Sequence, residues 1–83
     1  MSILSEIIKS FPDEEFVKAP DLDKAVIGID TNEMRLIYSK AECIVETMLN
    51  SRCNQDDAVE YLNHNVFSAY VGKGTPIWCD DMY

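Results

Sequence analysis

His64 is the single histidine of the chain, and Cys43, Cys53 and Cys79 are its three thiols. A Cys/His pair would work by imidazole deprotonation of the thiol, with a third group orienting the ring. None of the cysteines stands in a motif that marks a nucleophile. His64 sits between Asn63 and Asn65, off the apolar stripe of its segment, and reads as a solvated or interface residue. Zinc would have to use His64, Cys53 and Cys79, whereas structural zinc sites take ligands paired at short spacing. Gly72-Lys73-Gly74-Thr75 invites comparison with a phosphate loop. It lacks the G-x-x-x-x-G-K-[ST] spacing and follows a helix-like stretch where a phosphate loop precedes one. The preferred reading is a glycine-based helix stop and turn. The alternative is a small cleft of Asn65, Tyr70, Lys73 and Thr75 that contacts a nucleotide or other small molecule. Asp21 and Asp23 do not make a calcium loop, since Val26 stands where the glycine is required. No catalytic residue, metal or cofactor is assigned, and the expectation is a binding protein, not an enzyme.

The charge points the same way. Fifteen acidic and seven basic residues give a formal charge of -8 over 83 residues. Nucleic-acid and anionic-membrane binding both need clustered Lys and Arg, so neither is expected. A basic protein surface suits this balance, with Asp13, Glu14 and Glu15 as partner-binding candidates. Together with Asp21 and Asp23 these acids form either a solvated face or a mimic of nucleic-acid phosphates. In the last third, Tyr61, Phe67, Tyr70, Trp78 and Tyr83 supply aromatic area. Trp78 and Tyr83 are the candidates for a partner contact, where such side chains concentrate binding energy. A hydrophobic content of 47% supports one domain with a core that is only just sufficient, which leaves a homo-oligomer open. The odd number of cysteines, the absence of a signal-peptide pattern at Met1 and the lack of a long apolar run predict a soluble protein of a reducing cytoplasm.

Those residues need elements to position them. Ser2 to Phe11 has apolar pairs Ile3/Leu4 and Ile7/Ile8 at helical spacing and ends before Pro12. One more turn is expected at Asp13 to Val17, then a connector from Lys18 to Asp23. This N-terminal part, 1–23, either packs on the rest or acts as an arm that docks on a partner. Ala25 to Asp30 and Met34 to Tyr38 are rich in β-branched and aromatic residues and form a hairpin. Asn32 is the turn residue suited to positive φ, and Gly28 signals a bulge or a close approach. Ser39-Lys40-Ala41-Glu42 is a capping box opening a helix whose inward face is Ala41, Ile44, Val45, Met48 and Leu49. Asn54 caps the next helix, with stripe Ala58, Val59, Leu62, Val66, Ala69 and Tyr70. Gly72, Gly74 and Pro76 stop it, and Thr75 to Cys79 forms a strand placed at a sheet edge by Pro76. Asn65 and Thr75 are expected to brace the exit loop.

Glu60, Asn65, Ala69, Tyr70, Gly72, Thr75 and Pro76, with Ile27 to Ile29 and Ile37-Tyr38, make a pattern that resembles a family of small phage- and prophage-encoded proteins of uncharacterised function. The resemblance spans about Val26 to Trp78 and excludes the N-terminal segment. It implies a hairpin, two helices and an Asn…Ala-Tyr-x-Gly-x-x-Thr-Pro exit, a viral origin, and a host cytoplasm as location. It carries no catalytic residues.

The resulting expectation is an α+β domain over 1–83: an N-terminal helix, a hairpin, two helices and a short C-terminal strand on a small antiparallel sheet. The expected function is that of an acidic accessory protein that binds a host or viral macromolecule, for example as inhibitor of a host nucleic-acid enzyme or defence factor. Two alternatives stand beside it. One is a small-molecule-binding or sequestering oligomer with a cleft near Gly72 to Thr75, the other a structural or assembly component.

Overall fold

The computed structural model describes residues 3–69 and 72–81. Tyr70 and Tyr83, two of the candidate site residues, lie outside the described residues. In chain order the elements are α1 (Ile3–Ser10), β1 (Val26–Asp30), β2 (Arg35–Ser39), α2 (Lys40–Ser51), α3 (Gln55–Leu62) and β3 (Ile77–Cys79). A 3-10 turn at Asp23–Ala25 leads into β1, and a π-helical turn at Asn63–Phe67 continues α3. This is an α+β fold built on a three-stranded sheet with β2 in the centre.

The α1 helix presents Leu4 and Ile7 inward, one turn apart, while Ile3 and Ile8 stay exposed. The buried pair joins the same core as the strands, with Phe11 packed at its margin. After Pro12 the chain makes a brief turn and then runs irregularly to Ala19, instead of adding a helical turn through Val17. Leu22 and Ala25 re-enter the core, so Ala25 belongs to the 3-10 turn and not to β1.

β1 and β2 pair antiparallel across a turn at residues 31–34. The positive φ falls on Met34, at 53°, instead of Asn32, whose amide donates to the Asp30 carboxylate at 3.0 Å. An Asp side chain that binds its own turn in this way relieves Asn32 of the left-handed position. The register slips between Val26 and Gly28, which places a bulge at Ile27, next to the glycine that signalled it.

β3 lies at the sheet edge, as Pro76 implies, but it runs parallel to β2, with Ile37, Tyr38 and Ser39 opposite Ile77, Trp78 and Cys79. The sheet is therefore mixed, and the expected antiparallel arrangement holds only for the hairpin. The reason is the path before it. A parallel neighbour needs a long crossover, and α2 and α3 supply one.

Ser39 caps α2 by accepting from the Glu42 amide at 3.0 Å, and Asn54 caps α3 by accepting from the Asp57 amide at 2.8 Å. The inward face of α2 differs from the expected one. Cys43, Ile44 and Thr47 are buried, whereas Val45 and Leu49 face outward. Thr47 and Cys43 are small enough to let the helix lie close on β2 and the 3-10 turn, and this rotates the bulkier aliphatic row toward solvent.

α3 buries Ala58 and Leu62, then widens into the π-helical turn before the stripe reaches Ala69, which is exposed. Tyr38 and Leu36 are fully enclosed at the centre of the core. The Tyr38 hydroxyl accepts the Ala19 amide proton at 2.9 Å, which ties the connector to the central strand.

Candidate functional site

The structure divides the sequence candidates among three places. The first is an apolar hollow of about 190 Å³ formed where the connector, the π-helical turn and β3 meet. Val17, Ala19 and Pro20 give one wall, Val66 and Ala69 a second, and Pro76 and Trp78 a third, with Asn65 and Lys18 also lining it. Trp78 is half-buried and packs its indole between Tyr38, at 5.0 Å between ring centroids, and Phe67, at 5.1 Å. The Lys40 ammonium lies 5.1 Å from the Phe67 centroid and lends the outer end of this stack a cation-π contact. These tilted ring pairs hold the indole in place without covering it.

Asp13, Glu14 and Glu15 are all exposed on the segment that leads into Val17. Phe11 and Phe16, at either end of this acidic run, are both packed against the core. The run is thereby pinned on both sides. Of the partner-binding candidates, Trp78 lines the hollow, and the acidic run precedes its Val17 wall in the chain without lining it.

The second place is the exit loop. Gly72 and Gly74 take φ of 95° and 94°, where only glycine sits without strain. The Thr75 hydroxyl donates to the Gly72 carbonyl at 2.6 Å, and the Thr75 amide reaches the same oxygen at 3.2 Å. Thr75 therefore braces the loop, as expected. Asn65 does not: its amide nitrogen donates to the Tyr61 carbonyl at 3.0 Å, within its own helical segment. The two residues belong to different hollows. Asn65 lines the Trp78 hollow, whereas Lys73 and Thr75 line another with Gly72, Gly74, Glu33 and Arg35. Tyr70, the fourth member of the expected cleft of Asn65, Tyr70, Lys73 and Thr75, lies outside the described residues.

Arg35 was missed by sequence reasoning. Its Nε donates to the Thr75 carbonyl at 2.6 Å, across a sequence separation of 40 residues. Nothing local in the hairpin signals that contact. The connector residues Val17 to Pro20 were also missed as a binding wall, although Val17 and Ala19 around an exposed Lys18 hinted at an alternating, half-buried segment.

The third place is the rim around His64, which shares an open hollow with Asp57, Glu60, Tyr61 and Asn65. His64 is exposed. Cys43, by contrast, is fully enclosed, and burial pushes its thiol up to about 12, with the Asp81 and Glu42 charges adding to the shift. Such a thiol is inert as a nucleophile at neutral pH. Among the described residues no group of three or more His, Cys, Asp or Glu side chains is placed to hold a metal ion, and no helix is long and apolar enough to cross a membrane.

At the end of β3 the Asp81 carboxylate closes onto the start of α2. It accepts from the Ser39 hydroxyl at 2.6 Å and from the Ala41 amide at 3.1 Å. An anion at a helix N-terminus is favoured by the unpaired amides there. The Ser39 bond first, then the Ala41 bond, holds the Asp81 carboxyl below its ordinary value.

Comparison with known proteins finds no match: no family model, no curated protein and no solved structure is significantly similar to the chain.

Proposed function

We propose that the protein is an acidic binding module that docks an apolar side chain of a basic protein segment into the Trp78 hollow. The carrying observation is the apolar hollow under a half-buried Trp78, one wall of which, Val17, follows the exposed acidic run Asp13 to Glu15 by two residues. An apolar hollow reached by a chain segment with exposed carboxylates suits a ligand with one buried aliphatic or aromatic group flanked by Lys or Arg. The carboxylates act mainly on encounter rate and selectivity, the indole on residence time. In the viral reading suggested by the exit pattern, the target is a host or phage protein with a basic face, such as a nucleic-acid enzyme or a defence factor.

The test is capture of partners from host-cell extract by the wild-type chain, by the Asp13→Lys/Glu14→Lys/Glu15→Lys variant and by Ala69→Arg at the exposed rim. A protein retained by the wild type and lost from both variants supports the reading. A partner held equally by all three sinks it.

A second reading is favoured by the arrival of Arg35 beside Lys73. Two cations line the exit-loop hollow of a chain that is otherwise strongly acidic. They suit a small anion such as a phosphate group, although Glu33 on the same wall opposes it. Thermal-shift measurements with inorganic phosphate and nucleotides decide this: a shift abolished by Lys73→Ala supports the site, and no shift with any of them removes it.

A further inference from the structure

The rotation of α2 leaves an apolar row on the surface. Leu49 is 68% exposed and Val45 45% exposed, the former the most open large hydrophobic residue among those described. Ala41 and Met48, half-buried, continue the row, at steps of four, three and one residue along one helical face. Beside it a shallow groove of about 240 Å³ runs along Ala41, Ile44, Val45 and Met48 to Gln55 at the start of α3. This face shares no residue with the Trp78 hollow, and its role is independent of the function proposed there.

The charges of α2 indicate what covers the row. Glu42, Glu46 and Arg52 flank it, while the Lys40 ammonium lies over the Phe67 ring and the Asp81 carboxylate sits on the first turn of the helix. The order of Glu42 and Arg52 is self-complementary when the helix is reversed. Set antiparallel about a two-fold axis between Met48 and Glu46, Val45 meets Leu49 of the second copy, and Glu42 meets Arg52 of the second copy. Each contact then occurs twice, as a closed two-fold interface requires, and the helix dipoles oppose one another favourably.

We infer that the protein self-associates as a two-fold dimer through an antiparallel pairing of α2 with α2. A helix of twelve residues is about 18 Å long, so the interface is small and the equilibrium weak, with a Kd of about 10⁻⁵ M.

Sedimentation equilibrium of the full chain from about 10 μM to 1 mM tests this, with circular dichroism confirming that each variant is folded. The wild type should pass from monomer to dimer across that range. Leu49→Lys, a change at an exposed position that suits a helix C-terminus, should weaken dimerisation by about tenfold or more. Glu42→Arg and Arg52→Glu should each weaken it, and the double variant should recover it, because the exchanged charges again face each other. A wild type that stays monomeric at 1 mM overturns the proposal, whatever other partner the face then has. So does a dimer indifferent to Leu49→Lys, or a double variant no better than the two single ones.

Discussion

On one side of β2, β1 arrives through the tight turn at residues 31–34, and its hold comes from an antiparallel ladder with α1 packed against it. On the other side, β3 arrives only after two helices and a glycine loop, and three residues pair in parallel. The short ladder is flanked by side-chain anchors. Arg35 grips the Thr75 carbonyl before the strand, the Tyr38-Trp78-Phe67 rings pack in its middle, and Asp81 locks onto Ser39 and Ala41 after it. A strand next to its partner in sequence needs little besides a turn and an apolar face. A strand far away in sequence must offset a larger closure entropy, and here specific polar and aromatic contacts at both ends do so.

The largest expected effect does not discriminate between the two sides. Leu36→Ala, at the centre of the shared core, should lower stability by about 3 kcal/mol in denaturant titration and weaken β1 and β3 together. Trp78→Ala should separate them. Because the indole is half-buried, its loss should cost about 2 kcal/mol, and amide exchange should accelerate at Ile77 to Cys79 while Ile29 and Asp30 stay protected. Equal loss of protection on both sides would show that β3 is integral to the hairpin and not appended to it.

Ser39→Ala removes both the α2 cap and a partner of Asp81, and should cost about 1 to 2 kcal/mol. Thr75→Val removes the hydroxyl brace of the exit loop and should cost about 1 kcal/mol, with its effect greatest at β3. The smallest effect is that of pH. With its folded-state pKa depressed, Asp81 contributes stability that is present above its ordinary value of 3.8 and is lost as pH falls through the lower folded value. Asp81→Asn should therefore flatten the acid limb of a stability-pH profile, slightly, since the carboxylate is exposed to solvent. An unchanged profile would remove Asp81 from the anchors of β3.

The locally decided features were the legible ones. Capping by Ser39 and Asn54, the hairpin and the bulge beside Gly28 all follow from residues a few positions apart, whereas the helix expected to run to Gly72 ends with the π-helical turn at Phe67. Sequence reasoning failed where a choice depended on distant neighbours. Ile44 belongs to either of two faces of α2, and the larger aliphatic set Ala41/Val45/Met48/Leu49 made the wrong one look inward. Close packing on β2 selected Cys43 and Thr47 instead. The direction of β3 was hidden for the same reason, since a strand of three residues carries no mark of its polarity. For the site, Trp78 was visible as a residue type, but the connector wall Val17 to Pro20 beside it was not. That connector is irregular, and its position depends on the Ala19 amide reaching Tyr38.

The enclosure of Cys43 has a practical consequence. Its thiol is shut inside the core and scarcely ionised, whereas Cys53 at the junction of α2 and α3 and Cys79 on β3 are partly accessible. Alkylation should thus proceed in stages, with Cys79 timing the fraying of the sheet edge and Cys53 the loosening of the helix junction. Cys43 times opening of the whole molecule. The chain carries three internal clocks, one for each layer of its own unfolding.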